Sequence, residues 1–281
     1  MKIYLLICIF CTLLFTACNN QPGNGSSSAS DSAKVAAPGP IAIASVTPSP
    51  DFPNAMLNIA SVASEKNGND STKVTFNFDV KNYELKMQTS DNGTKMCNNS
   101  DKGQHIHFIL DNMPYKALYE PKNEVVLANG TEHYLVAFLS RSYHESLKNK
   151  GAAVIYHFRI DKTGKLVKMD NPTTPMVTYS RPKGDYIGKD TANILLDFYV
   201  WNDSLSANGD KMKVQITNED KPNRDTTFML DKWAPVFIQN LGTGKCKVIL
   251  TITDKNGKQT DGPLTTATRE FNLMVNEPAK K

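Results

Sequence analysis

The chain has 281 residues, of which 40% are hydrophobic, and a formal net charge of +4 at pH 7. This length is enough for two modest domains. The small basic excess argues against nucleic-acid binding, because neutralising phosphates takes many Lys and Arg side chains. Five cysteines and five histidines are present, and their positions distinguish one region of the chain from another.

Residues 1–17 have the pattern of a secretory signal peptide. Lys2 is followed by an apolar run over residues 3–15 that is short for a membrane span, and small residues end at Ala17. With Cys18, this ending resembles a bacterial lipobox, whose cysteine is acylated and becomes the first residue after cleavage. The resemblance predicts lipidation of Cys18 and a membrane anchor, most simply in the outer membrane of a Gram-negative bacterium, facing the periplasm or the surface. The alternative is an ordinary cleaved signal peptide.

The next segment, residues 18–50, is rich in Asn, Ser, Ala, Pro and Gly and nearly uncharged. This composition predicts a disordered tether between the lipidated cysteine and the folded part. Beyond it only Cys97 and Cys246 remain. Two distant cysteines do not make a disulfide scaffold, so stability must come from hydrophobic cores.

Past the tether, the sequence consists of short segments of alternating apolar and polar residues. Residues 73–80 and 106–110 are examples, and Asn-Gly turn signals separate such runs at Asn92, Asn129 and Asn208. No long stretch has helical periodicity. The pattern predicts an all-β fold built from sandwiches.

The second half of the chain repeats the pattern of the first. Matching residues lie 120 positions apart early in each half, then 106, then 113, and 115 near the end. The drift falls in loops, as expected of diverged duplicates. We therefore predict two tandem immunoglobulin-like β-sandwiches at 51–168 and 175–277, joined by a proline-containing linker at 169–174.

All five histidines lie in the first half of the chain: His105, His107, His133, His144 and His157. The repeat places Lys211 and Lys213 opposite the first two and Gly257 near His144. A packing role common to both halves would have left histidines in each. This asymmetry predicts that the first sandwich has a function that the second lacks.

Strand alternation puts His105 and His107 on one face of a strand, about 7 Å apart, and Ile106 and Phe108 on the core face. Two outward imidazoles at this spacing are a recurrent way to hold a Cu or Zn ion. His133, His144 or His157 would complete the ligand set. The alternative is a pair of solvated surface histidines.

Three motifs also resemble a group of bacterial exported immunoglobulin-like domains. They are residues 104–112 and 129–135, which follow the patterns H-x-H-x-x-x-D-G and G-x-H-x-L, and the further histidine at 144. Asn112 stands where the first pattern has Gly, and Thr131-Glu132, two residues where the second pattern has one, lengthen the turn before His133. The resemblance implies a periplasmic β-sandwich with a His-based site and no established activity.

No nucleophile elbow, P-loop, dinucleotide fingerprint or H-E-x-x-H motif occurs, so no enzymatic activity is expected. Asp197 interrupts an apolar run and is expected to be exposed. The sequence therefore favours a lipid-anchored envelope protein with a Cu or Zn site on its first sandwich. The alternative is a structural or interaction lipoprotein that docks a protein or glycan partner and holds no metal.

Overall fold

Residues 39–276, the part of the chain that the computed structural model describes, contain seventeen strands and two short 3-10 turns. The predicted signal peptide, Cys18 and tether residues 18–38 lie outside the described residues. Within residues 39–276 there is no α-helix, and hence none that could cross a membrane. The predicted all-β fold is confirmed.

The first sandwich contains eight strands, numbered in chain order, in two sheets. One sheet has the order β2 (Met56–Lys66), β3 (Ser71–Lys81), β6 (Lys122–Ala128). The other has the order β5 (Lys116–Leu118), β4 (His105–Leu110), β7 (Thr131–Ser140), β8 (Ala153–Ile160), β9 (Leu166–Lys168).

The second sandwich is also made of two sheets. The four-stranded sheet has the order β1 (Ala42–Ser45), β15 (Val236–Gln239), β12 (Ile194–Trp201), β10 (Met176–Arg181). The five-stranded sheet has the order β11 (Gly184–Ile187), β17 (Thr266–Met274), β16 (Gly244–Thr253), β13 (Lys211–Asn218), β14 (Asp225–Leu230).

Both sandwiches distribute their strands in the same way. In the first, β2, β3 and β6 face β5, β4, β7 and β8; in the second, β10, β12 and β15 face β14, β13, β16 and β17. This division, with the first, second and fifth strands on one side, is that of immunoglobulin-like domains. The second sandwich adds β11, which pairs with β17 in parallel. The immunoglobulin-like prediction is therefore confirmed for both halves.

The repeat extends to individual side chains. Asn82 and Asn202 both adopt left-handed backbone, with φ of 54° and 56°. Each side-chain amide donates a hydrogen bond to a carbonyl 28 residues earlier, that of Asn54 or Thr174. Residues 120 positions apart therefore occupy equivalent places in the two sandwiches at this point of the chain.

One predicted offset is wrong. The pairing of β7 with β8 and of β16 with β17 keeps the offset at 113 to the last strand, so that Phe158 corresponds to Phe271. The connections between these strands, residues 141–152 and 254–265, have equal length, so the count does not change to 115 and His157 corresponds to Glu270.

The predicted tether does not reach residue 50. Ala42–Ser45 forms strand β1, which pairs with the edge strand β15 of the second sandwich. Ile41 and Ile43 pack against the second hydrophobic core. The edge strand β15 supplies this segment with backbone hydrogen-bond partners, and the adjacent core buries its isoleucine side chains.

The two sandwiches pack against each other through the outer faces of two sheets. A hydrophobic cluster joins Ile109, Val136 and Phe138 of the first to Tyr199 of the second, and the rings of Phe138 and Tyr199 stack 5.4 Å apart. All described residues belong to one compact unit. As a consequence, β10 and β12 are buried on both faces.

Candidate metal centre

His105 and His107 lie on β4, on the face that points away from the first core. Ile106 and Phe108 face that core, as the alternation predicted. The expectation of outward imidazoles is correct with respect to the first sandwich, but both side chains are fully buried (0% exposed). The second sandwich covers them, and Ser180 of β10 contacts His107 directly.

His144 comes from the turn that follows β7. The backbone bonds from Arg141 N to Glu145 O and from His144 N to Arg141 O recur between residues 254, 257 and 258 in the second sandwich. His144 has φ 70°, and its counterpart Gly257 has φ 82°. A non-glycine residue in this left-handed conformation is unfavourable and often marks a functional site.

The same turn differs in burial between the two copies. Residues 141–146 are all buried, whereas residues 254–259 are exposed or half-buried. Arg141 forms an ion pair with Glu145, and the hydroxyl of Ser49 donates to Glu145 over 2.6 Å. Contacts from the N-terminal segment therefore help to hold the turn against the sandwich junction.

Three imidazole nitrogens converge at this junction. His105 Nε2 is 2.9 Å from His107 Nε2 and 3.2 Å from His144 Nδ1. Each residue offers one nitrogen as a possible metal ligand, and these three atoms lie within 4.8 Å of one another. Zn–N bonds of about 2.0–2.1 Å place the ligands of a tetrahedral ion about 3.3 Å apart. Two of the three separations are close to this spacing, and the group could hold one small metal ion.

The far nitrogens of two rings are oriented by hydrogen bonds. His105 Nδ1 donates to the carbonyl of Gly103 over 2.8 Å, which leaves the lone pair on Nε2. His107 Nδ1 lies 2.9 Å from the hydroxyl of Ser180. A hydroxyl can donate or accept, so His107 can present either tautomer. Such outer partners commonly fix the orientation of metal-ligating histidines.

Burial keeps all three imidazoles neutral. It lowers the pKa of His105 to about 4, and the backbone hydrogen bond to Gly103 opposes this only in part. Burial also holds the pKa values of His107 and His144 well below the ordinary value, and neighbouring positive charge adds to the effect. A neutral imidazole is the form that binds a metal ion.

The surroundings of the cluster carry positive charge. Arg181 is buried and donates to the hydroxyl of Tyr186 over 3.0 Å, and Lys183 Nζ lies 4.0 Å from the centre of the Tyr115 ring. Among residues 39–276 neither cation forms an ion pair with a carboxylate. Burial and the neighbouring Arg181 lower the pKa of Lys183 to about 8.

Tyr115 closes the cluster on one side. Its ring stacks on His107 with a 3.6 Å centroid separation and a 9° interplanar angle, and its hydroxyl is 3.1 Å from His144 Nδ1. Sequence reasoning missed Tyr115, Ser180 and Arg181. No spacing pattern links them to the histidines, because two of them belong to the other sandwich.

The structure does not bring His133 and His157 to this cluster. His133 lies on the core-facing side of β7, seven residues or about 23 Å from the position opposite His105. It is held by Asp111 and Thr131. His157 contacts Glu132 and the carbonyl of Asp170. Of the five predicted ligands, only the first two and His144 meet among the described residues.

No protein-family model and no curated protein matches this sequence. Among solved structures, the chain is similar to fibronectin(III)-like modules of Clostridium thermocellum CbhA (10% identity, 78% of this chain and 95% of that chain, TM-score 0.25). It is also similar to the two tandem V-type regions of VCBP3, a v-region-containing chitin binding protein (8%, 79% and 99%, 0.23). A third similar structure is the BSP domain of a biofilm associated protein (11%, 80% and 53%, 0.22). At these TM-scores the fold assignment stands on the strand order alone.

Proposed function

We propose that this chain is a lipid-anchored envelope protein that binds a copper or zinc ion through His105, His107 and His144. The observation that carries the proposal is the convergence of three buried, neutral imidazole nitrogens at one point. The three come from the first sandwich, and the second sandwich covers the site and supplies Ser180. This division explains why the three cluster histidines have no histidine counterparts in the second sandwich.

The charges around the cluster favour monovalent copper over zinc. Three neutral imidazoles do not offset the charge of a cation, and the nearby Arg181 and Lys183 repel it. Coulomb repulsion in a buried site is proportional to the charge of the ion. Imidazole is a good ligand for copper as well as zinc, so Cu(I) meets half of the repulsion that Zn²⁺ would.

Replacing His144 with glycine is expected to abolish metal binding while preserving the turn. Glycine is favoured at φ 70°, and Gly257 occupies the corresponding position in the second sandwich. Loss of one of three ligands should lower the affinity by more than about 100-fold, since loss of an outer partner alone costs 10–100-fold. The measurement is the metal content and the competitive affinity of the full-length protein for Cu(I) and Zn²⁺.

Matched controls come from the two histidines outside the cluster. His133→Ala and His157→Ala are expected to retain one ion per chain, because neither residue contacts the three ligands. Equal metal binding by wild type and His144→Gly would disprove the proposed site, and so would a wild-type protein that binds neither metal tightly.

An interaction module without metal is the second candidate. The observation in its favour is that the three imidazoles hydrogen-bond to one another and to Gly103, Ser180 and Tyr115. A neutral network of this kind can fill a buried junction without an ion. In that case the chain would dock a protein or glycan partner, and the metal measurements above would be negative.

The membrane anchor is tested separately. Cys18→Ala is expected to move the full-length protein from the membrane fraction to the soluble fraction, because acylation of this cysteine would supply the anchor. Cys97→Ala is the control and should stay in the membrane fraction. Retention of Cys18→Ala in the membrane fraction would refute lipid anchoring at this residue.

A further inference from the structure

A metal ion bound as proposed would be enclosed, and so it needs a route to solvent. His105 and His107 are 0% exposed, and His144 is 6% exposed. The inference below rests on the proposed function, since it concerns how an ion reaches these three side chains. Two neighbouring spaces at the junction of the sandwiches mark a path.

The outer space is a cavity of about 540 Å³ that opens to solvent. One wall is the loop that contains Met96, Cys97 and Asn99, and the opposite wall includes Asp190 and Asn193 of the second sandwich. The inner space lies beside His144 and is too narrow for a water molecule. Asn98, Tyr143, Arg181 and Tyr186 also line the inner space.

Asn98 stands between the two spaces. It lines the inner one, and its side-chain amide donates a 3.1 Å hydrogen bond to Asp190, which lines the outer one. A second bond, from Asn193 to the carbonyl of Met96, also joins the loop to the second sandwich, at 3.4 Å. These two bonds tie the loop to the second sandwich beside the inner space.

Residues 96–99 lie between two firm attachments. On one side, Lys95 is buried and donates to the carbonyls of Thr47 and Pro48. On the other side, Ser100 donates its N–H to the carbonyl of Ser142. Between them, Met96 is 74% exposed. A short segment that is exposed or half-buried between fixed ends can open locally at low cost.

The loop exists only in the copy that carries the histidines. Nineteen residues separate Leu85 from His105, whereas five separate Leu205 from Lys211. The backbone bonds from residue 86 to 104 and from 206 to 210 close the two loops at equivalent points. The additional residues therefore form an insertion located beside the metal centre.

We propose that the outer cavity is the vestibule through which the metal ion enters, and that residues 96–99 are the gate, latched by Asn98 and Asp190. Met96, which carries a thioether, and Cys97, which carries a thiol, line the vestibule. Sulfur ligands of this kind select Cu(I). The vestibule would therefore bind Cu(I) first, before the ion passes to the three histidines.

The test compares Asn98→Ala with Asn92→Ala in the full-length protein. Asn92 lies in the same loop, lines the same cavity, and its side chain bonds only to Gln88 of that loop. Asn98→Ala removes one hydrogen bond that holds the gate closed. We therefore expect the rates of Cu(I) uptake and of Cu(I) loss to a chelator to rise by about three- to tenfold, since one hydrogen bond changes an equilibrium by about this factor. The equilibrium affinity should not change, since a gate changes the rates of uptake and loss by the same factor. Asn92→Ala should leave both rates unchanged.

A second measurement needs no metal. The gate contains Cys97, so opening should expose its thiol, and Asn98→Ala should raise the rate of Cys97 alkylation by the same factor. Peptide mass spectrometry reports Cys97 separately from the other cysteines. Normal metal binding with unchanged exchange and alkylation rates in Asn98→Ala would overturn the gate and leave the proposed function standing. Failure of the wild type to bind Cu(I) or Zn²⁺ would overturn both.

Discussion

Lowering the pH from 7 to 5 is expected to destabilise the metal-free protein by up to about 6 kcal/mol, about 2 kcal/mol for each buried histidine. Burial lowers the pKa of His105 to about 4, and those of His107 and His144 lie well below the ordinary value of 6.5. In the unfolded chain these imidazoles take up protons below pH 6.5, whereas in the folded protein they stay neutral. Stability is therefore full above pH 6.5 and falls as the pH decreases toward the folded pKa values.

The measurement is the free energy of unfolding from denaturant titrations at pH 7, 6 and 5 with a chelator present. His144→Gly is the matched variant, and it should lose about 2 kcal/mol less stability over this range, since one of three such histidines is gone. Carboxyl groups titrate in both proteins, so the difference between the two pH profiles reports the contribution of His144 alone. Parallel pH profiles for wild type and His144→Gly would contradict the prediction.

Asp197→Ala is expected to destabilise the protein by about 3–5 kcal/mol, the range for removing one partner of a buried ion pair. Asp197 is 0% exposed and lies on β12, facing the first sandwich. It accepts hydrogen bonds of 2.9 Å from Lys148 and 3.0 Å from the hydroxyl of Ser146. Its loss leaves the Lys148 ammonium, only 21% exposed, without its carboxylate.

The comparison is Asp79→Ala, which breaks the pair of Asp79 with Lys81 on an exposed strand surface. That change should cost less than about 1 kcal/mol, because exposed ion pairs contribute little. Asp197→Asn should fall between the two, since an amide keeps the bond from Ser146 and loses the charge. Thermal and denaturant unfolding measure all three. A cost for Asp197→Ala no larger than that of Asp79→Ala would show that the contact between the sandwiches contributes little stability.

Asp197 also shows where sequence reasoning fails. A charged residue within a strand predicts a solvated face, and the expectation that Asp197 is exposed is wrong because the second face of β12 is covered by the first sandwich. The run from Ile194 to Val200 is apolar at nearly every position, which is the pattern of a strand buried on both sides. This apolar run was the feature of the sequence that could have predicted the burial of Asp197.

The sequence alone determined the all-β fold, the two similar halves and the shared face of His105 and His107, because strand periodicity and turn residues are local properties. Comparison of the two halves also placed His144 opposite Gly257. Only the tertiary structure decided that His144 joins the first two histidines and that His133 and His157 do not. It also decided that the second sandwich buries the cluster and adds Ser180 and Arg181. The reason is physical: periodicity fixes which way a side chain points from its strand, whereas the packing of one sheet on another fixes what covers it.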